Sequence, residues 1–144
     1  MERKRILIVD DDLGPARLLK LNLEETGCYE ARVEPMAEDA VAAAREFEPH
    51  LVLLDVFMPR MPGGNVAAAF EADPTLKHIP VVFLTAAVQK HQVDEHEGII
   101  SNHLCLAKPV SLDEVVRCIE LNLSRKFERP PFRMHMLPKE VDNE

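Results

Sequence analysis

The chain has 144 residues, 47% of them hydrophobic and 29% charged, which suits one domain with a self-sufficient core. Its 17 basic and 25 acidic residues leave a net charge of -8, which weighs against direct contact with nucleic acid or anionic membranes, since both need a cationic face. Three cysteines without a Cys-x-x-Cys pair indicate neither a disulfide framework nor a zinc site, and no apolar run nears the ~20 residues of a membrane span. Only four apolar residues follow the basic amino terminus before Asp10, too few for a signal peptide, so a cytoplasmic protein is expected.

In chain order, Ile6-Leu7-Ile8-Val9 is a short apolar run ending in Asp10, Asp11 and Asp12. Residues 14–26 then place Leu18, Leu19, Leu21 and Leu23 on or near one stripe and stop at Gly27, which predicts a helix. Tyr29 to Val33 reads as a weaker strand, and residues 37–47 are rich in strong helix formers. Leu51-Val52-Leu53-Leu54 is a second apolar run, ending in Asp55, and an alanine-rich helix is expected over 64–72. Val81-Val82-Phe83-Leu84 is a third, ending in Thr85. A polar helix over 87–97, a strand over His103–Ala107 and a helix over 112–127 complete the series, the last capped by Ser111 with Glu114 as its capping-box partner.

Apolar runs without alternation are strands buried on both faces, hence a parallel sheet covered by helices. The alternation βαβαβαβαβα predicts an α/β fold with a doubly wound five-stranded parallel sheet. Residues 128–144 hold three prolines among charges and lack periodicity, so the domain is expected over 1–124 and a tail or the start of a linker over 125–144.

Sites in such folds lie at the carboxyl ends of the strands. That end gathers Asp10, Asp11, Asp12, Asp55, Thr85 and the Lys108-Pro109 pair. Crowded carboxylates repel one another and call for a cation, and hard oxygen ligands suit Mg2+. A lysine and a hydroxyl beside them fit a tetrahedral dianion, and a carboxylate can itself be the nucleophile. The residues point to Mg2+-dependent phosphoryl chemistry on an aspartate. Taken singly, each has an ordinary structural explanation, such as a helix cap for an aspartate after a strand.

The ordered set resembles the response-regulator receiver domains of two-component signalling, with a flavodoxin-like fold. The matching pieces are Ile-Leu-Ile-Val-Asp10-Asp11-Asp12, Leu-Val-Leu-Leu-Asp55-Val-Phe-Met58-Pro59 with Gly63 eight residues after Asp55, Val-Val-Phe-Leu-Thr85-Ala86, and Leu-Ala-Lys108-Pro109. The resemblance implies that Asp55 accepts phosphate from a histidine kinase or histidine phosphotransfer protein. It implies Mg2+ held by Asp10, Asp11, Asp55 and the backbone carbonyl of Phe57, with Asp10 acting through water and Asp12 serving as a helix cap. It implies that Thr85 and Lys108 contact the phosphoryl group and that the Lys108–Pro109 bond is cis. No turnover of an external substrate is implied, only self-phosphorylation and slow autodephosphorylation. A monomer or weak dimer is expected, with output by protein–protein contact through the fourth helix, fifth strand and fifth helix of the predicted order.

Four departures from the family pattern stand out. Cys105 stands three residues before Lys108, where relatives usually carry Tyr or Phe, so a muted switch or one using another side chain is expected. Gly98 lies ten residues before Lys108, further than usual, so 98–104 should form a non-standard loop or a displaced helix end. Pro62 replaces a common Asp and should rigidify its loop and start the next helix. Phe57 and Ala87 are apolar where relatives tune water attack, so loss of phosphate is expected to be slow. Two rival readings are an aspartyl-phosphate hydrolase of the haloacid-dehalogenase type and a phosphate-independent scaffold. The first wants a second Asp two residues after the nucleophile, where this chain has Phe57; intact Asp11, Asp55, Thr85 and Lys108 disfavour the second.

Overall fold

The computed structural model describes residues 2–85, 99–100 and 103–123. The elements run β1 (Lys4–Val9), α1 (Leu13–Glu25), β2 (Tyr29–Glu34), a 3-10 turn (Ala37–Asp39), α2 (Ala40–Phe47), β3 (Leu51–Asp55), α3 (Gly63–Ala72), β4 (Val81–Thr85), β5 (Ile99–Ile100), β6 (His103–Ala107) and α4 (Leu112–Leu123). The sheet order is β2-β1-β3-β4-β6-β5. The first five are parallel, in the doubly wound arrangement expected; β5 alone runs antiparallel, beside β6.

Both sheet faces are covered, and successive strand residues feed opposite cores. Ile6, Ile8, Leu51, Leu53, Val82, Leu84 and Leu106 pack with Ala16, Leu19 and Leu23 of α1 and Val115, Cys118 and Ile119 of α4. Leu7, Val9, Val52, Leu54, Val81, Phe83 and Cys105 pack with alanines of α2 and with Val66, Ala67 and Phe70 of α3. The small side chains of α2 let that helix lie close to the sheet. Truncating one of these side chains, for example Leu53→Ala, removes contacts worth about 2–5 kcal/mol.

Local chemistry sets the helix ends. Gly27 takes the left-handed conformation (φ 83°) just beyond α1, and its amide donates to the Glu24 carbonyl at 3.1 Å. At the start of α4, the Glu114 amide donates to Ser111 Oγ and the Ser111 amide donates to Glu114 Oε1, each at 3.1 Å, the capping box expected from the sequence.

Some expectations change. The helix expected over 37–47 opens with a 3-10 turn before α2, a common tightening at helix starts. Asp12 occupies the N-cap position of α1, but its side chain makes no capping bond; its backbone carbonyl accepts the Ala16 amide at 3.2 Å instead. Pro62 precedes α3 as its N-cap residue, with Gly63 the first helical position. Part of the irregular stretch 98–104 is ordered as β5 against β6, an element too short for any periodicity to announce. The helix expected over 87–97, Ala87 with it, and the tail over 125–144 lie outside the described residues.

Replacing Ser111 by Ala is expected to destabilise the fold by about 1 kcal/mol, since it removes one half of the capping box. Chemical denaturation of the two proteins measures the difference, and an unchanged midpoint would contradict a capping role.

Candidate functional site

The sheet changes winding direction at β1 and β3. From β1 the chain passes outward to β2 on one side, then returns to lay β3 on the other. A crevice forms where winding reverses, at the carboxyl ends of the strands. Asp10 follows β1 directly, and Asp55 is the last residue of β3. Lys108 follows β6, and Thr85 ends β4.

Asp10, Asp11 and Asp55 each offer a carboxylate oxygen within 4.8 Å of the others. Asp10 and Asp55 are buried, at 2% and 5% exposure, whereas Asp11 faces solvent. The Lys108 ammonium stands 2.7 Å from Asp10 Oδ2 and 3.4 Å from Asp55 Oδ1. It therefore bridges the two buried acids and lies nearer Asp10. The second oxygen of Asp10 accepts the Asp12 amide at 3.0 Å. Lys108 is fixed from its backbone as well: its amide donates to the Thr85 carbonyl at 2.9 Å, and the bond to Pro109 is cis, as expected.

The electrostatics follow from this crowding. Burial pushes the Asp55 carboxyl up to about 6, the Asp10 charge pushes the same way, and Lys108 opposes both. Burial pulls the Lys108 ammonium down, but its bonds to Asp10 and Asp55 outweigh that and hold it above the ordinary lysine range. A site with this surplus of negative charge and only oxygen donors fits a small divalent cation such as Mg2+.

The remaining residues singled out from the sequence fall into two groups. Thr85 is fully buried at the end of β4, in register with Ala107 and next in sequence to Leu84, the partner of Asp55. Phe57 follows Asp55 by two residues and is 59% exposed. Cys105 is buried in the α2–α3 core in register with Phe83, so it belongs to the packing and not to the acidic cluster.

Two features were not apparent from the sequence. The Arg60 guanidinium pairs with Glu38 at 2.8 Å, joining the loop after Asp55 to the turn before α2. Gly63, visible in the sequence only as a spacing from Asp55, donates its amide to the Val56 carbonyl at 2.8 Å and closes that loop. Its one local signal was a glycine directly after Pro62, where a side-chain cap would be ordinary.

A cleft of about 400 Å3 opens beside Asp10, Asp12, Leu18, Lys108 and Pro109. A larger one, about 650 Å3, lies at the opposite end of the sheet among Arg5, His50, His78 and Pro80, but none of the clustered acids lines it. Asp10 and Lys108 thus line the smaller cleft, at the carboxyl end. No helix among the described residues is long and apolar enough to cross a membrane.

The family model for the response regulator receiver domain matches residues 6–120. The chain is 33% identical over 141 residues to the DNA-binding response regulator MtrA of Mycobacterium tuberculosis H37Rv, covering 97% of this chain and 59% of that protein. It is 43% identical over 82 residues to the response regulator PleD of Caulobacter vibrioides, covering 57% of this chain and 18% of that protein. The chain thus spans about 60% of the length of the MtrA proteins it matches. Among solved structures, a putative response regulator from Chloroflexus aurantiacus superposes with a TM-score of 0.73 at 29% identity, covering 86% of this chain and all of that one. The chemotaxis protein CheY4 of Vibrio cholerae shares the fold, with a TM-score of 0.72 at 22% identity over 85% of this chain and all of that one.

Because the folded carboxyl of Asp55 lies above its unfolded value, its protonated form favours folding: that contribution is full below about pH 4 and is lost as pH rises through about 6. Asp55→Asn is therefore expected to be more stable than wild type at pH 7.5, by on the order of 1 kcal/mol. The gap should close as pH falls through 6. Thermal unfolding across pH 4–8 without divalent cations measures it; a gap that widens toward acid would contradict the assigned crowding.

Proposed function

The chain belongs to the response regulator receiver domain family, and from that membership we propose that it takes a phosphoryl group onto Asp55 from a histidine kinase or histidine phosphotransfer protein. The observation that carries this reading is the cluster of Asp10, Asp11 and Asp55 with Lys108 reaching both buried acids.

The proposed step is an in-line transfer. An Asp55 carboxylate oxygen attacks the phosphorus of the donor's phosphohistidine, the new P–O bond forms as the P–N bond breaks, and the electron pair stays on the imidazole nitrogen. Asp10, Asp11, Asp55 and the Phe57 carbonyl would hold Mg2+, which supplies positive charge beside the transferred group. Lys108 is already next to Asp55 and can turn from Asp10 toward the incoming oxygens. The Thr85 hydroxyl would donate to another of them. Attack requires ionised Asp55, and a cation beside it would favour that form by opposing the burial and the Asp10 charge that raise its pKa.

Phosphate loss is proposed to be slow. Attack on the acyl phosphate needs a positioned water, and Phe57, two residues after Asp55 and 59% exposed, brings no polar side chain to orient one. Output is proposed to pass through protein contact on the face around β6 and α4, in keeping with the acidic net charge. The MtrA relatives are DNA-binding response regulators and extend well beyond the matched region. With buried Cys105 in place of a ring that could swing, the proposed rearrangement of that face is muted.

Incubation with a small acyl phosphate and Mg2+, followed by intact mass, should add one phosphoryl group to wild type and none to Asp55→Asn. No gain in wild type would sink the proposal. The phosphorylated protein, freed of donor, is expected to persist for minutes or longer; decay within seconds would overturn the role given to Phe57.

A further inference from the structure

The loop from Val56 to Pro62 joins the nucleophile to α3, and it contains Phe57, whose carbonyl is the proposed fourth metal ligand. The loop is closed at both ends. The Val56 amide donates to the Leu84 carbonyl at 3.0 Å, and the Gly63 amide donates to the Val56 carbonyl at 2.8 Å. The first turn of α3 therefore rests on the backbone of the nucleophile itself. A Cβ built on Gly63 would strike the Asp55 carbonyl oxygen and stand 2.9 Å from Val56 Cα and 3.2 Å from the Asp55 carbonyl carbon. These are backbone atoms of a buried strand end and cannot swing aside as a flexible side chain would. The neighbouring Gly64, one residue further along the same helix, has nothing within 4 Å of the corresponding point.

We propose that Gly63 is a positioning residue: by lacking a side chain it lets α3 seat directly on Asp55 and Val56, and this contact sets where the Asp55 carboxylate and the Phe57 carbonyl stand. The inference rests on the phosphoacceptor reading above. A methyl group at this position must push the strand end and the helix apart, and displacements of that size at metal ligands and reacting groups cost one to two orders of magnitude. The same methyl group at Gly64 meets open space and gains helix propensity.

The test compares wild type, Gly63→Ala, Gly64→Ala and the double variant, each with Mg2+ affinity by calorimetry, phosphorylation by intact mass and a thermal melt. Gly63→Ala should bind Mg2+ about tenfold more weakly and accept phosphate from the acyl phosphate about tenfold or more slowly. Gly64→Ala should match wild type within about twofold in both, with a melting point no lower. Should Gly63→Ala melt too low to assay, the double variant supplies a helix with better propensity for the same measurement. A folded Gly63→Ala or double variant with wild-type affinity and rate would overturn the inference. So would failure of both to fold, which would make Gly63 a requirement of the fold alone. A wild type that neither binds Mg2+ nor gains mass would instead overturn the phosphoacceptor reading, leaving these variants with nothing to position.

Discussion

Two buried carboxylates and a third at the surface meet at the carboxyl end of the sheet, and the Lys108 ammonium answers the buried pair. Like charges this close cannot all be comfortable away from water. Asp55 carries the imbalance as a raised pKa, and Lys108 limits it by bridging Asp10 and Asp55. The site is thereby poised in two ways. It favours any small cation that can take oxygen ligands, and it holds an ammonium where negative charge would arrive with a phosphoryl group.

The described fold builds that juxtaposition. The acids converge because β1 and β3 are neighbours at the reversal of winding, with β4 and β6 laid alongside to supply Thr85 and Lys108. The strands can be neighbours because both their faces are buried, in one core under α1 and α4 and another under α2 and α3. Burial of the sheet gives rigidity, and rigidity is what lets a strained group of charges persist. The loop after Asp55 shows the same logic at short range: Gly63 fastens it to the strand end, and Arg60, in a left-handed conformation, reaches Glu38 across the top of the second core.

Much of this was legible in the sequence, for identifiable reasons. Runs such as Leu51–Leu54 read as doubly buried strands because they lack alternation, and the polar residues that end them, Asp10, Asp55 and Thr85, pointed to a candidate site at that end of the sheet. The Ser111–Glu114 capping box was equally plain, being a contact between residues three apart. What stayed hidden depends on residues distant in sequence or on backbone alone. Asp12 looked like a capping side chain, yet Asp10 accepts its amide and only its carbonyl serves the helix. Lys108 was expected beside the phosphoryl position, but its preference for Asp10 follows from side-chain reach across the sheet. The pairing of Ile99–Ile100 with β6 spans two residues, too few for a pattern.

Asp55 sits among uncompensated negative charge that a bound cation would relieve. Carbon-detected NMR of the aspartate carboxyls, titrated against pH with and without Mg2+, measures it at the atom concerned. Asp55 should titrate near pH 6 in the absence of the cation and well below that in its presence. A titration in the ordinary aspartate range, near pH 4 and indifferent to Mg2+, would contradict it.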